Sequence, residues 1–131
     1  MSSMKAKKGN PFEYDTAYSL QPKYTVTRID DNTKGVDLIA TNNLKTYAIE
    51  CKFHQSFSWN NIEKIFLKTE EFIKNKLPIT TKPLFIFKSN LQPVLVAHRN
   101  QFGFISITKF EDYFNLTWSK RPKGYKIWQT K

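Results

Sequence analysis

Eighteen residues constrain this chain more than any others: GVDLIATNNLKTYAIECK, from Gly35 to Lys52. Two apolar runs, rich in β-branched and aromatic residues, flank a polar NNLK, the signature of two strands joined by a turn. Strands with so little polar alternation are buried in a sheet, yet these hold Asp37, Glu50 and Lys52. A buried charge is costly unless it is paired, so the three charges need a partner or a task.

Side chains alternate along a strand. Asp37, Ile39 and Thr41 fall on one face of the first strand, with Val36, Leu38 and Ala40 on the other. Glu50 and Lys52 share a face, with Tyr47, Ile49, Cys51 and Phe53 opposite. A four-residue turn over 42–45 pairs Thr41 with Thr46 and sets Asp37 directly across from Glu50; a loop one residue shorter would put the two acids on opposite faces. Carboxylates so placed repel, and desolvation raises the cost of ionising them further. A divalent cation removes the problem, and Mg²⁺ takes oxygen ligands, commonly one or two carboxylates with water and phosphate. Lys52 leaves the same face and can stabilise an attacking hydroxide or charge developing on phosphorus. A cross-strand salt bridge, Lys52 neutralising one acid at a sheet end, fits the same three residues.

The rest of the chain supplies the layers around this hairpin. NPFEYDTAYSLQ reads as a short helix, with Asn10 as N-cap, Pro11 at its first position, Glu13 completing a capping box and Pro22 closing it. YTVTRI (24–29) is a strand and DDNTKG (30–35) a loop. Ile62, Ile65, Phe66, Phe72 and Ile73 follow helical spacing over about 60–76. PLFIFK (83–88) and QPVLVAH (92–98) form a second hairpin around SNL, FGFISI (102–107) is a candidate extra strand, and Thr108 with Glu111 signs a last helix over about 109–116. The order is αβββαββα: a single α/β domain, residues 1–131, with a mixed central sheet flanked by helices. Residues 1–9 read as a flexible basic N-terminus and 117–131 as a basic tail. The crossover through the long helix should be right-handed if the strands it joins are parallel.

Charge points to the partner. The chain has 21 Lys and Arg against 11 Asp and Glu, a net +10, which favours a polyanion. No basic amphipathic segment with an exposed apolar face suggests a membrane surface, and no apolar run approaches the length of a spanning helix. Cys51 is the lone cysteine, which excludes an intramolecular disulfide and fits a reducing compartment. His54 and His98 follow no zinc spacing. No phosphate loop, nucleophile elbow or CxxC is present, and no small-molecule cofactor is expected.

These residues resemble a known family. GVD with ECK twelve residues on is similar to the PD-(D/E)XK nuclease core, and KKGNPFE, VTRI, VDLIA, AIECK, EEF and PLFIFK together resemble archaeal Holliday-junction resolvases. The resemblance implies a restriction-endonuclease-like core and a homodimeric, structure-specific DNA endonuclease that resolves four-way junctions by paired phosphodiester hydrolysis. It implies that Asp37 and Glu50 bind Mg²⁺, with Mn²⁺ substituting, and that the main-chain carbonyl of Cys51 is a further ligand. Lys52 is then the catalytic lysine. Glu13 corresponds to the family's helical acid near the site and a candidate further ligand, or else only caps its helix. Arg28 corresponds to a basic residue at the scissile backbone, and Lys7, Lys8 and Arg99 would track phosphates. Phe72 matches an apolar helix position suited to core or dimer packing. Trp118 and Trp128 could stack on bases or dock on the domain. Two features depart from the pattern: Val36 replaces the usual proline, and FHQSFSWNN after Lys52 is less charged than the family's linker. The expected setting is cytoplasmic, archaeal or virus-encoded. Two other readings stand beside it: a repair or restriction-like nuclease acting on other DNA, and a non-catalytic DNA-binding module.

Overall fold

The computed structural model of the chain describes residues 2–29 and 35–128, with side chains from Pro11 onward. In chain order it contains α1 (Ser2–Leu20), β1 (Thr25–Arg28), β2 (Leu38–Thr41), β3 (Thr46–Phe53), α2 (Trp59–Lys76), β4 (Lys82–Lys88), β5 (Leu95–Arg99), β6 (Ile105–Lys109) and α3 (Phe110–Phe114). One six-stranded sheet runs in the order β1-β2-β3-β4-β5-β6. β3 and β4 are parallel and the other neighbouring pairs antiparallel, so the sheet is mixed. A parallel pair needs a crossover, and α2 provides it.

The two faces are covered by different elements. Phe12, Ala17 and Leu20 of α1 and Phe110 and Phe114 of α3 pack on Leu38, Ile49, Leu84, Ile86 and Val96. On the other face, Ile62 and Phe66 of α2 pack on Phe85 and Phe87, while Ile73 packs with Val36 and Ala48. α2 buries Ile62, Phe66, Thr69 and Ile73, one stripe at helical spacing. Its start is fixed by Ser58, whose hydroxyl accepts from the Asn61 N–H at 3.1 Å. β3 therefore lies between two covered faces, and Tyr47 to Cys51 are all buried.

The hairpin has the register that places the acids together: Thr41 pairs with Thr46 and Leu38 with Ile49. Asn42 closes the turn by accepting from the N–H groups of Leu44 and Lys45. Four expectations need correction. The first helix begins at Ser2, not Asn10, and Pro11 lies inside it; the good helix formers of MKAKK extend it, so Asn10 is no cap and Glu13 no capping-box partner. The last helix spans only Phe110–Phe114 and has no side-chain cap, because Thr108 belongs to β6 and its hydroxyl meets His98 Nε2 at 2.8 Å. The extra strand exists but starts at Ile105, after a turn in which Asn100 Oδ1 accepts from the N–H groups of Phe102 and Phe104. Val36 packs on the α2 side, away from Leu38 and Ala40; it precedes β2, and regular alternation begins only at Leu38. Residues 30–34 of the expected loop and 129–131 of the tail lie outside the described residues.

Candidate active site

Asp37 stands one residue before β2, clamped by its own backbone. Its N–H donates to the Ile49 carbonyl at 2.7 Å, and its carbonyl accepts from the Ile29 N–H at 2.8 Å. Its carboxylate Oδ2 accepts from the Cys51 N–H at 2.9 Å, taking the place of the next strand partner. A strand residue's N–H and C=O point to the same side, so the Cys51 carbonyl is directed to the same edge of β3 as Asp37. Glu50 lies across from Asp37 and is buried. Glu50 Oε1 is buried without a hydrogen-bond donor, while Oε2 meets Lys52 Nζ at 3.4 Å.

Burial, and then the charge of Asp37, push the Glu50 carboxyl up to about 7; Lys52 opposes this without cancelling it. Burial also raises Asp37, against the Cys51 N–H, Lys52 and Arg28. The pair has two ways out of its repulsion. Glu50 can take a proton and donate to Asp37, or a cation can sit between them. Lys52 serves one oxygen of Glu50 and leaves the other unserved, so a salt bridge alone does not complete the site.

Arg28 and Glu13 flank the pair. Arg28 Nε lies 3.3 Å from Glu13 Oε2, and its guanidinium rests 5.0 Å from the centre of the Tyr14 ring. Glu13 is buried, and its charge adds to burial and to Asp37 and Glu50 in pushing the Cys51 thiol up. Among the described residues, no group of three or more His, Cys, Asp or Glu side chains is close enough to share an ion. Glu13 pairs with Arg28 at the edge of the acid pair.

Other expected residues fall elsewhere. Arg99 ends β5 and forks onto Glu70, with both contacts at 2.8 Å, while its third donor reaches the Gly103 carbonyl. The side chains of Lys7 and Lys8 lie outside the described residues. His54 is exposed and stacks on Phe57 at 4.9 Å. Phe72 is half-buried beside the Val36 cluster. Trp118 and Trp128 dock on the α1 face and are not free platforms. Sequence reading missed the support for Asp37. The Thr69 hydroxyl donates to the Gly35 carbonyl at 2.5 Å, fastening the approach to Asp37 onto α2. A polar residue inside an apolar helical stripe was the available signal.

A mixed six-stranded sheet with helices on both faces is consistent with a restriction-endonuclease-like fold. Among solved structures, the fold is similar to that of Archaeoglobus fulgidus Hjc, a Holliday junction resolvase from an archaeal hyperthermophile. The match has a TM-score of 0.51 and covers 85% of this chain and 91% of that one, at 16% sequence identity. No family model and no curated protein matches the sequence. Among the described residues, no helix is long and apolar enough to cross a membrane.

Proposed function

We propose that this chain is a metal-dependent DNA endonuclease that resolves four-way junctions as a homodimer inside the cell. The observation that carries the reading is the buried, donor-less Oε1 of Glu50 opposite Asp37 and beside Lys52. An all-oxygen donor set of two carboxylates and the Cys51 carbonyl fits Mg²⁺, or Mn²⁺ in its place. When bound, the cation supplies Lewis-acid activation of the scissile phosphate and of its water.

The chain's own residues do the rest. Asp37 is held in one orientation by the Cys51 N–H, so the site is formed before substrate arrives. Lys52, with its side chain 36% exposed, is near enough to Glu50 to be positioned and open enough to meet a phosphate. Its ammonium would stabilise the attacking hydroxide and the negative charge that gathers on the phosphoryl oxygens as the new O–P bond forms. Glu13 pairs with Arg28 and orients its guanidinium beside the acid pair, where its charge favours the backbone phosphate of the DNA. The chain's net charge of +10 supplies the phosphate contacts that follow the DNA, with Lys7 and Lys8 as sequence candidates; Arg99 is already paired with Glu70. A two-fold dimer matches a two-fold substrate that needs paired cuts.

The test is incubation with a four-way junction and with linear duplex of the same sequence, each with Mg²⁺ and with chelator. The reading expects junction cleavage in Mg²⁺, none in chelator, and preferential junction binding. Equal treatment of junction and duplex would remove the junction assignment, and cleavage in chelator would remove the metal.

A further inference from the structure

The chain between Trp118 and Trp128 lies across α1 and is fastened to it along its length. Trp118 Nε1 donates to Thr16 Oγ1 at 3.0 Å. The Ser119 N–H donates to Ser19 Oγ at 2.9 Å, and that hydroxyl donates back to the Ser119 carbonyl at 3.0 Å. Arg121 donates to Asp15 Oδ1 from its backbone N–H at 3.0 Å and from Nε at 2.5 Å. Tyr125 donates to Gln21 at 2.8 Å, and Ile127 is buried. Asp15, Thr16 and Ser19 are themselves buried, so the strap rests on fixed partners.

This strap carries no acid, and Lys120 and Lys123 stand exposed on it. Holding a tail in one shape costs backbone entropy, about 1–2 kcal/mol per residue, which solubility alone does not require. Lysines held in place bind a rigid polyanion with less ordering left to do. The strap is also continuous with the candidate site. The Tyr14 ring carries the Arg121 guanidinium at 5.2 Å and the Arg28 guanidinium at 5.0 Å, so one aromatic residue joins the strap to the arginine that Glu13 orients.

We propose that the Trp118–Trp128 strap is a second phosphate-binding surface, continuous with the active site, and that its partner is the backbone of a DNA duplex arm leading away from the cut. The proposal rests on the nuclease reading for its substrate. It gives the C-terminal segment the task of placing the arm, with Arg121 as latch and Lys120 and Lys123 as contacts.

The experiment measures junction affinity over a salt series from about 50 to 200 mM. It compares wild type, the double variant Lys120→Ala/Lys123→Ala, and a control, Lys74→Ala/Lys76→Ala. The control removes equal charge from the last turn of α2, on the opposite face of the sheet. Each phosphate contact contributes roughly 0.9 to the slope of log affinity against log salt. The strap variant should lose about 1–2 of that slope, and the control should keep it. Wild-type slope in the strap variant, or an equal loss in both variants, overturns the proposal. If the wild type binds junctions but cleaves none with any divalent metal, the nuclease reading fails, while the slopes still decide the strap. Absence of DNA binding by the wild type overturns both.

Discussion

Replacing Glu50 by glutamine should make the metal-free protein more stable at alkaline pH. The folded state lifts this carboxyl from 4.5 to about 7, chiefly by burial and then by Asp37. At about 1.4 kcal/mol per pKa unit, ionising it in the fold costs up to about 3 kcal/mol. Little is lost to solvent screening, since the side chain is only 10% exposed. The sign follows from proton binding. Between the ordinary value of 4.5 and about 7 the folded state holds the proton more tightly than the unfolded state does. The group's favourable contribution is therefore full below that window and lost as pH rises through it. Asp37, also raised, adds in the same direction. Glutamine keeps the shape of the protonated acid and never ionises. In chelator, thermal unfolding at about pH 8 should show Glu50→Gln more stable by about 2–3 kcal/mol, roughly 10 °C in Tm, and nearly equal to wild type at about pH 4. Added Mg²⁺ should raise the wild-type Tm at the higher pH and leave the variant unmoved. A variant no more stable than wild type at pH 8, or a gap that does not change with pH, would refute the idea that the pair is electrostatically unsatisfied.

Two further outcomes test the neighbours of the pair. Lys52→Met should bind junction and metal yet turn over about 10²–10³-fold more slowly in a single-turnover assay at saturating Mg²⁺ and enzyme; a rate within about threefold of wild type would reduce Lys52 to a salt-bridge partner of Glu50. Gly35→Ala should lower stability by about 1–3 kcal/mol in urea unfolding, because Gly35 has φ 104° and an added Cβ would meet the Lys68 carbonyl oxygen at 3.0 Å. A loss of less than about 0.5 kcal/mol would show that this turn does not fix the approach to Asp37.

The opposition of Asp37 and Glu50 is legible in the sequence because two local signals agree. The period-two pattern assigns faces, and NNLK supplies a turn that Asn42 can close alone. The α2 stripe is legible for the same reason, being local and periodic. Glu13 is ambiguous at the sequence level, since Asn-Pro-x-Glu is a sound helix start; the extension of α1 to Ser2 settles that it is not a cap. Thr108 misleads similarly, its hydroxyl being taken by His98 across the sheet. What sequence could not show is contact between residues far apart in the chain. Thr69 with Gly35, and Arg121 with Asp15, carry no local pattern that names the partner. The tail's charge was visible, but its docking on α1 was not.

The central claim is that Asp37 and Glu50 form a metal site for phosphodiester hydrolysis. Its most direct test is single-turnover cleavage of a four-way junction in saturating Mg²⁺ by wild type, Asp37→Asn and Glu50→Gln, with junction affinity measured in chelator for each. The account predicts metal-dependent product from wild type, none from either variant, and near-equal binding by all three, because affinity resides mainly in phosphate contacts. Full cleavage by either variant would contradict it.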